Sequence, residues 1–206
     1  MTNNSDIVFP AAARRAQAER GSVRIYDKKI ETGYPDRVTP ELAGFIAALD
    51  TAFLATVSAA GAPYIQHRGG PNGFIKALDD KTLGFADYAG NKQYITISNL
   101  AGNDRAYLFL LDFANRQRIK IWGRARVVEN DPALMERLVD PGYRARPERA
   151  ILFTIEAWVV NCSQHITERY TQSEVAIATT GLRDRIAELE AENARLHAGQ
   201  KTATMP

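Results

Sequence analysis

Residues 62–103, APYIQHRGGPNGFIKALDDKTLGFADYAGNKQYITISNLAGN, contain the elements around which the rest of the chain is organised. Strand patterns at 63–67 and 74–78 flank a Gly- and Pro-rich turn, and a third strand pattern at 82–86 returns after an Asp-Asp turn. A polar turn with a lysine follows and opens a helix. This order is suited to holding a phosphorylated, flat ligand against a sheet.

Four further strand patterns lie outside this stretch, at 53–58, 105–113, 119–128 and 151–160. The pattern at 119–128 alternates charged and apolar residues and is interrupted near Trp122-Gly123. Strands at this short spacing, joined mostly by hairpins, predict an antiparallel split or nearly closed β-barrel, mainly β with flanking helices. The long helical crossovers of a parallel sheet are missing, which disfavours a doubly wound α/β fold.

Residues 1–38 are predicted to form an N-terminal arm. Two interpretations of its first 20 residues remain open, a short Ala/Arg-rich helix over 10–20 that ends near Gly21, or a partly disordered tail. Residues 22–37 show no clear period and are expected to wrap the barrel.

Two capping patterns mark helices inside the barrel domain, which we assign to residues 39–170. Thr39-Pro40-Glu41 places a capping hydroxyl, a first-turn proline and an acid in the order typical of a helix start. Asp131-Pro132 is a second such start.

The C-terminal segment, residues 171–206, contains a predicted helix over 180–197 that Gly199 can end. Its apolar positions are spaced four, three, four and three residues apart, as in a coiled-coil seam with one asparagine: Leu182, Ile186, Leu189, Asn193 and Leu196. We expect a role at a dimer contact. The alternative is one amphipathic helix lying on its own barrel.

Composition excludes several classes of function. The formal net charge is +2, which does not favour nucleic acid as a partner. Cys162 is the only cysteine, and the three histidines form no zinc pattern, so we expect no disulfide and no metal. No apolar run approaches the roughly 20 residues of a membrane span, and no signal peptide is recognisable, so a cytoplasmic protein is expected.

A candidate phosphate site follows the strand at 82–86. A glycine turn leads into a helix predicted to begin near Asn91, and free N–H groups at a helix start attract phosphate. Lys92 adds a charge, and Lys76 and Arg68 are near enough in sequence to reach the same point. On spacing alone, an ordinary hairpin with solvated lysines is at least as good an interpretation.

Other reactive residues are given structural roles. His67 is interpreted as a strand histidine outside catalysis. Cys162 and His165 suggest a nucleophile pair, but no orienting partner is recognisable, and a buried thiol is the preferred interpretation. Trp122 and Trp158 are expected in the core.

Four segments together resemble the pyridoxamine 5′-phosphate oxidase-like, FMN-binding split-barrel family in their order and spacing. They are FLATVSAAGAPYIQ, GFIKALDDKTLGFADYAGNKQYITISNLAGNDRAYLFLL, RQRIKIWGRARVV and WVVNCSQHI, and the resemblance covers residues 39–169. It implies a homodimer with FMN bound at the subunit interface.

The resemblance also implies roles for residues on two strands. Phe74, Ile75 and Lys76 match the strand that runs under FMN, with the lysine near the phosphate. Ala86 and Asp87 match the strand end beside the ribityl chain.

Further implied positions lie in turns and strand ends. Asn91 and Lys92 match the polar and basic pair that holds the phosphate. Gln117 or Arg118 matches a polar position that approaches the flavin from the other subunit, and Asn161 lies in a late motif expected to face the flavin.

The chain departs from the family pattern at two places. Pro71 stands where the classical oxidase has a basic residue, and Arg68 is the expected substitute. The late basic residues that would grip a pyridoxal phosphate are not recognisable, so oxidation of vitamin B6 is not expected.

The resemblance therefore implies an FMN-binding flavoprotein, an oxidoreductase acting on a small molecule, in which no side chain is assigned a catalytic role. One alternative is a binding module that holds a flavin, a deazaflavin or haem without turnover. A second is a structural or regulatory dimer in which the glycine loops are only turns.

Overall fold

The computed structural model describes residues 3–203, with side chains described as far as His197. By its internal contacts the chain divides into two compact units, one ending at Ile166 and the other beginning at Thr167. Among the described residues, the first unit carries all the strands and six helices, and the second carries a single helix.

Seven strands form one sheet in the first unit, and every pair of neighbours is antiparallel. The strands are β1 Thr51–Val57, β2 Pro63–Gly69, β3 Lys76–Ala77, β4 Thr82–Tyr88, β5 Arg105–Asp112, β6 Gln117–Val128 and β7 Pro147–Asn161. Their order in the sheet is β2-β1-β5-β6-β7-β4-β3, so β2 and β3 are its two edges. The expected antiparallel sheet of hairpin-joined strands is confirmed.

The sheet curls until its two edge regions meet. Arg68 on edge strand β2 contacts Asp87 on β4, the neighbour of the other edge, at 2.5 Å between Nη1 and Oδ1. No backbone ladder joins β2 to β3 or β4 in the described sheet, so side chains bridge this seam. The architecture is that of a split barrel.

The core lies inside the curl of the sheet. Alternate residues of β1 are buried, as a period of two requires for a strand with one face inward. Leu54, Leu108 and Ile121 are cross-strand neighbours on β1, β5 and β6, and all three are fully buried. Each such side chain contributes about 1.5–3 kcal/mol by leaving water.

The predicted interruption of the strand pattern at 119–128 is confirmed as a β-bulge in β6. The pairing of β6 with β7 shifts register between Trp122 and Gly123. A Cβ on Gly123 would lie 2.0 Å from the carbonyl oxygen of Thr154, so only glycine fits this approach of two backbones. Trp158 is buried, as expected, whereas Trp122 is only half-buried.

The described helices are α1 Ser5–Val8, α2 Ala11–Glu19, α3 Val23–Thr32, α4 Pro40–Ala48, α5 Ile95–Gly102, α6 Pro132–Leu138 and α7 Gln172–Ala203. Both predicted caps are confirmed. Thr39 Oγ1 accepts a hydrogen bond from the N–H of Leu42 at 3.2 Å, and Asp131 Oδ1 accepts one from the N–H of Leu134 at 2.9 Å.

The N-terminal arm is more helical than its sequence indicates. The helix before Gly21 is confirmed as α2, and α3 occupies much of the segment for which no period was recognised. Asn4 fastens the arm to the sheet, because its Nδ2 donates to the carbonyl oxygens of Tyr34 at 2.8 Å and Glu156 at 3.0 Å. The segment after α3 continues along β7, where Trp158 Nε1 donates to the carbonyl oxygen of Arg37 at 2.8 Å.

Two expectations about the fold need correction. The described helices contain more residues than the strands, so the chain is mixed α/β rather than mainly β. The strand predicted at 74–78 is reduced to Lys76–Ala77, because Phe74 and Ile75 enter the core from a turn in which the N–H of Phe74 donates to the carbonyl oxygen of Pro71.

The second unit is the long helix α7, which begins earlier than the predicted 180–197. A capping box sets its start, because Thr171 Oγ1 accepts from the N–H of Glu174 and Glu174 Oε2 accepts from the N–H of Thr171. The predicted end at Gly199 is wrong, since the helix continues to Ala203. The final residues of the tail, 204–206, lie outside the described residues. None of the described helices is long and apolar enough to cross a membrane.

Candidate functional site

A cluster of charges lies where the sheet closes. Asp87 is buried, and its two carboxylate oxygens accept from different arginines, Oδ1 from Arg68 at 2.5 Å and Oδ2 from Arg149 at 3.2 Å. Arg149 lies directly opposite Asp87 in the pairing of β4 with β7. The strand pairing therefore places Arg149 beside Asp87, and the curl of the sheet brings Arg68 to the same carboxylate.

Arg68 donates to three acceptors through its two Nη atoms, and its Nε is left without a partner among the described residues. Its guanidinium also donates to Gln66 Oε1 at 3.2 Å and to Thr96 Oγ1 at 3.0 Å. Its Nε is buried and has no hydrogen-bond partner among the described residues. A buried N–H without an acceptor is costly, so an acceptor oxygen that reached this donor would be stabilised.

The loop before α5 has an unusual backbone. Lys92 and Tyr94 have φ values of +59° and +55°, in the left-handed region that residues other than glycine seldom occupy. Asn91 Oδ1 accepts from the N–H of Gln93 at 3.2 Å and so stabilises the turn. The helix predicted to begin near Asn91 begins instead at Ile95, after this loop.

The first turn of α5 faces the same place. Tyr94 is the N-cap residue, and its side chain makes no capping hydrogen bond. The first N–H groups of a helix have no acceptor within the helix and carry its positive dipole end. They are therefore available to an anion.

We call this place the α5 depression. Its cavity volume is about 50 Å³ and it is open to solvent on one side. Its lining includes Gln66, Arg68, Asp87, Asn91, Lys92, Tyr94, Thr96, Glu148 and Arg149. Three of these side chains are cations and two are carboxylates, so the lining has a net positive charge before the helix dipole is counted. The arrangement fits a phosphate group.

Ion pairs hold Arg149 in its charged form. Burial alone would lower the pKa of its guanidinium, but hydrogen bonds to Asp87 and Glu129 outweigh this and raise the pKa. The guanidinium also lies 5.4 Å from the ring centroid of Tyr94. Beside it, the hydrogen bond from Arg146, together with Arg149, lowers the pKa of Glu148.

Four of the residues proposed from the sequence are brought together in this depression. Arg68, Asp87, Asn91 and Lys92 all line it. Ala86 is the residue before Asp87 and is buried against the smaller core cluster.

Lys76 lies elsewhere in the subunit. It lines a second depression, which we call the Lys76 depression, and the other lining residues are mostly small or apolar: Ala43, Ile46, Ala47, Asn72, Gly73, Ile75 and Ala77. Phe74 and Ile75 belong to the main core, and Pro71 is half-buried in the turn before them. Lys76 and Lys92, expected to reach one point, line different depressions of the described chain.

The three remaining candidates lie at the paired ends of β6 and β7. Arg118 lies opposite Asn161, whose Oδ1, in the amide orientation that satisfies both side chains, accepts from Arg118 Nε at 2.8 Å and Nη2 at 3.2 Å. Gln117 is exposed and lines a third depression with Asn161, Phe45 and other residues. Thus Gln117 is open to solvent, whereas Arg118 is hydrogen-bonded to Asn161.

Sequence reasoning missed Gln66, Tyr94, Thr96 and Arg149. Gln66 and Arg68 share a strand face by their spacing of two, a signal that pairs them once the strand is assigned. The positions of Thr96 and Arg149 depend on the curl of the sheet, for which the local sequence carries no signal.

One expectation about the cysteine needs correction. Cys162 is exposed, so the interpretation as a buried thiol is wrong. Its Sγ accepts from the N–H of Gln164 at 3.4 Å. No group of three or more His, Cys, Asp or Glu among the described residues is placed to hold a metal ion.

The fold and the site define a split-barrel protein with a basic depression at the seam of its sheet. The chain belongs to the pyridoxamine 5′-phosphate oxidase family, whose model matches residues 38–191. No curated protein matches the chain.

Several solved structures are similar to this chain. An FMN-binding protein from Syntrophomonas wolfei subsp. wolfei has 17% identity, with a TM-score of 0.47 over 70% of this chain and 97% of its own. A putative pyridoxamine 5′-phosphate oxidase from Lactobacillus delbrueckii has 19% identity and a TM-score of 0.47 over 61% and 95%. An F420 reductase has 20% identity and a TM-score of 0.42 over 59% and 98%. At identities and TM-scores this low, such likenesses do not extend to activity or ligand.

Proposed function

We propose that the protein is an FMN-binding oxidoreductase that holds the FMN phosphate in the α5 depression. The observation that carries the proposal is the buried, unpartnered Nε of Arg68 in a lining that also presents Lys92 and a helix start. A phosphate dianion offers several acceptor oxygens and a negative charge that balances the net positive charge of this lining. Membership of the pyridoxamine 5′-phosphate oxidase family supports FMN as the molecule that carries the phosphate.

The residues of this chain bind and orient, and the flavin supplies hydride-transfer chemistry when bound. Arg68 acts as a rigid donor, because Asp87, Gln66 and Thr96 fix its guanidinium. Lys92 is exposed and adds a mobile charge at the mouth. The proposed substrate is a small molecule other than a vitamin B6 phosphate, and turnover of pyridoxine 5′-phosphate by the FMN-loaded protein would contradict that part.

The proposal includes a homodimer with the cofactor between subunits. The outer face of β1, β2, β5 and β6 supports it, because Phe53, Tyr107, Phe109 and Trp122 are only half-buried there, and Ile65 is 60% exposed. A second copy would cover these apolar side chains. Gln117, already exposed at the end of β6, is then the side chain that approaches the flavin of the partner. A molecular mass of a single chain in solution would contradict this arrangement.

A comparison of FMN with riboflavin tests the phosphate site directly. The two molecules differ only in the phosphate, so the ratio of their dissociation constants isolates its contribution. We expect FMN to bind roughly a hundredfold more tightly, since several charge-assisted hydrogen bonds are formed. Fluorescence quenching of each flavin during titration with the apoprotein measures both constants.

A matched pair of lysine variants tests whether the contribution of the phosphate to affinity arises in the α5 depression. Lys92→Gln should reduce the ratio of FMN affinity to riboflavin affinity by roughly tenfold, because an exposed charge contributes at the lower end of the usual range. Lys28→Gln, on exposed α3, removes the same charge far from the lining and should leave the ratio unchanged. Equal affinity of the wild-type protein for both flavins would exclude the proposed site, and binding of a deazaflavin or haem alone would exclude FMN.

A further inference from the structure

Helix α7 has an apolar stripe with no cover. The side chains of Leu182, Ile186, Leu189 and Leu196 are 66%, 55%, 47% and 62% exposed, although all four are large and apolar. The helix forms the second unit with the few residues that precede it. An apolar stripe of this kind on a solvated helix indicates an interaction surface.

The stripe is longer in the structure than the sequence pattern alone indicated. Because α7 begins at Gln172, two more positions continue the spacing of four and three. The full set of seven core positions spans three heptads, namely Val175, Thr179, Leu182, Ile186, Leu189, Asn193 and Leu196. Ile186 at an a position between leucines at d positions is the combination that favours two strands.

We propose that α7 pairs with α7 of a second copy of this chain as a parallel, in-register, two-stranded coiled coil. The occupant of the stripe is thus the same stripe of another copy. This goes beyond flavin binding and does not depend on the α5 depression.

The charges beside the stripe match this pairing. In a parallel coil, a g residue of one helix faces the e residue of the next heptad in the other. Arg185 occupies g and faces Glu190 of the partner subunit, and the two-fold axis repeats the pair. Within one helix, Arg185 contacts Glu188, at a c position farther from the stripe, at 2.9 Å, and in the proposed coil its guanidinium turns from there to Glu190 of the partner subunit.

Charge alone does not fix the direction of the two helices. In the best antiparallel register, Arg185 would face Glu192 of the partner subunit, which is also attractive. Asn193 decides between them. In the parallel coil its amide lies beside Asn193 of the partner subunit, whereas in the antiparallel coil it would face a leucine and lose hydrogen bonds in an apolar layer.

The proposed contact between two α7 helices is expected to be more stable in the full-length protein than between two isolated α7 peptides. Seven core positions give a contact about 33 Å long, and helices of this length are marginal alone in water. If the first unit dimerises as proposed above, the second contact forms at a raised effective concentration.

Cysteine cross-linking of the full chain tests the direction. Cys162 is exposed, so Cys162→Ser supplies a background free of cysteine. In it, Leu182→Cys and Leu196→Cys each place two thiols side by side only if the helices are parallel and in register. Mild oxidation followed by a non-reducing gel should give a disulfide-linked dimer for both variants.

Ala191→Cys is the matched control. It lies at an f position, on the side away from the stripe, and its cross-linked fraction should be roughly tenfold lower, since thiols far apart cannot bridge. Failure of both core variants to cross-link would overturn the proposal. So would a disulfide formed only in a mixture of the Thr179→Cys and Leu196→Cys proteins, because these two positions face each other in the antiparallel register that places Asn193 against Leu182.

A second variant tests the role of Asn193. Asn193→Ile in the Thr179→Cys and Leu196→Cys backgrounds should allow the mixed disulfide to appear, because the residue that excludes the antiparallel register is gone. If the mixture stays free of mixed disulfide, Asn193 does not set the direction. FMN binding should be unchanged in all these variants, which separates this proposal from the proposed function.

Discussion

The α5 depression and the Lys76 depression each contain a lysine that the sequence suggested for the same phosphate, yet they differ in construction. The α5 depression has a buried carboxylate, two arginines, a lysine and a helix start. The Lys76 depression has one charged residue and a lining of alanine, isoleucine and glycine with one asparagine. Only the first offers several donors that converge on one point.

The difference between the two depressions shows which property of a cationic side chain favours the binding of an anion. Arg68 is held by Asp87, Gln66 and Thr96, so little side-chain entropy remains to be lost when a ligand binds. Lys76 is a single flexible charge beside apolar groups. Preorganisation, rather than the number of basic residues nearby in sequence, separates the two places.

The largest expected effect comes from removing the carboxylate of the α5 depression. Asp87→Ala leaves Arg68 and Arg149 with less compensation in a buried position, and breaking a buried pair costs about 3–5 kcal/mol of the free energy of unfolding. Asp80→Ala is the control, because its ion pair with Arg37 is 60% exposed on each side and contributes at most about 1 kcal/mol. Urea unfolding of both variants measures the difference.

Equal losses in the two aspartate variants would mean that the seam cluster behaves like a surface ion pair. In that case the α5 depression would not be preorganised, and the contrast between the two depressions would disappear.

A smaller effect is expected on the affinity for FMN. Arg68→Ala should reduce the ratio of FMN to riboflavin affinity by about ten- to a hundredfold, since a charge-assisted hydrogen bond contributes about 1.5–3 kcal/mol. Lys76→Ala should change the ratio by no more than about threefold, because a solvated charge outside the site acts only through screened electrostatics. Isothermal titration with both flavins measures it.

Riboflavin serves as the internal reference, so a general loss of folding does not alter the ratio. If Lys76→Ala reduces the ratio of FMN affinity to riboflavin affinity as much as Arg68→Ala does, Lys76 lies near the phosphate, as the family resemblance implies. The phosphate then lies closer to β3 than proposed.

Local patterns were sufficient for much of this fold. The cap at Thr39 and the pairing of β1 with β2 each depend on residues close together in sequence, and each is confirmed. The shortening of β3 and the position of Arg149 depend on how the sheet curls and closes. Local propensity does not encode that geometry, because it arises from packing among distant strands.

The candidate site was predictable to the same degree. Asn91 and Lys92 were recognised from a turn followed by a helix, and Arg68 from its proximity in sequence to a missing basic residue at Pro71. The left-handed backbone of Tyr94 and the later start of α5 were missed, since a tyrosine carries no local signal for that conformation.

The smallest expected effect compares the two lysines by the same substitution. Lys92 holds a left-handed backbone at φ +59°, which costs a residue with a Cβ about 1–2 kcal/mol, whereas Lys76 lies in a strand. Lys92→Gly should therefore raise the free energy of unfolding of the apoprotein by about 0.5–1 kcal/mol, after the greater freedom of glycine in the unfolded chain is subtracted. Lys76→Gly should lower it by about 0.5–1 kcal/mol for that same loss of freedom. Urea unfolding measures the change in the free energy of unfolding for both variants. Changes of opposite sign, together with weaker FMN binding in Lys92→Gly, would show that the loop before α5 carries backbone strain at a ligand-binding position. Changes of the same sign would show that it does not.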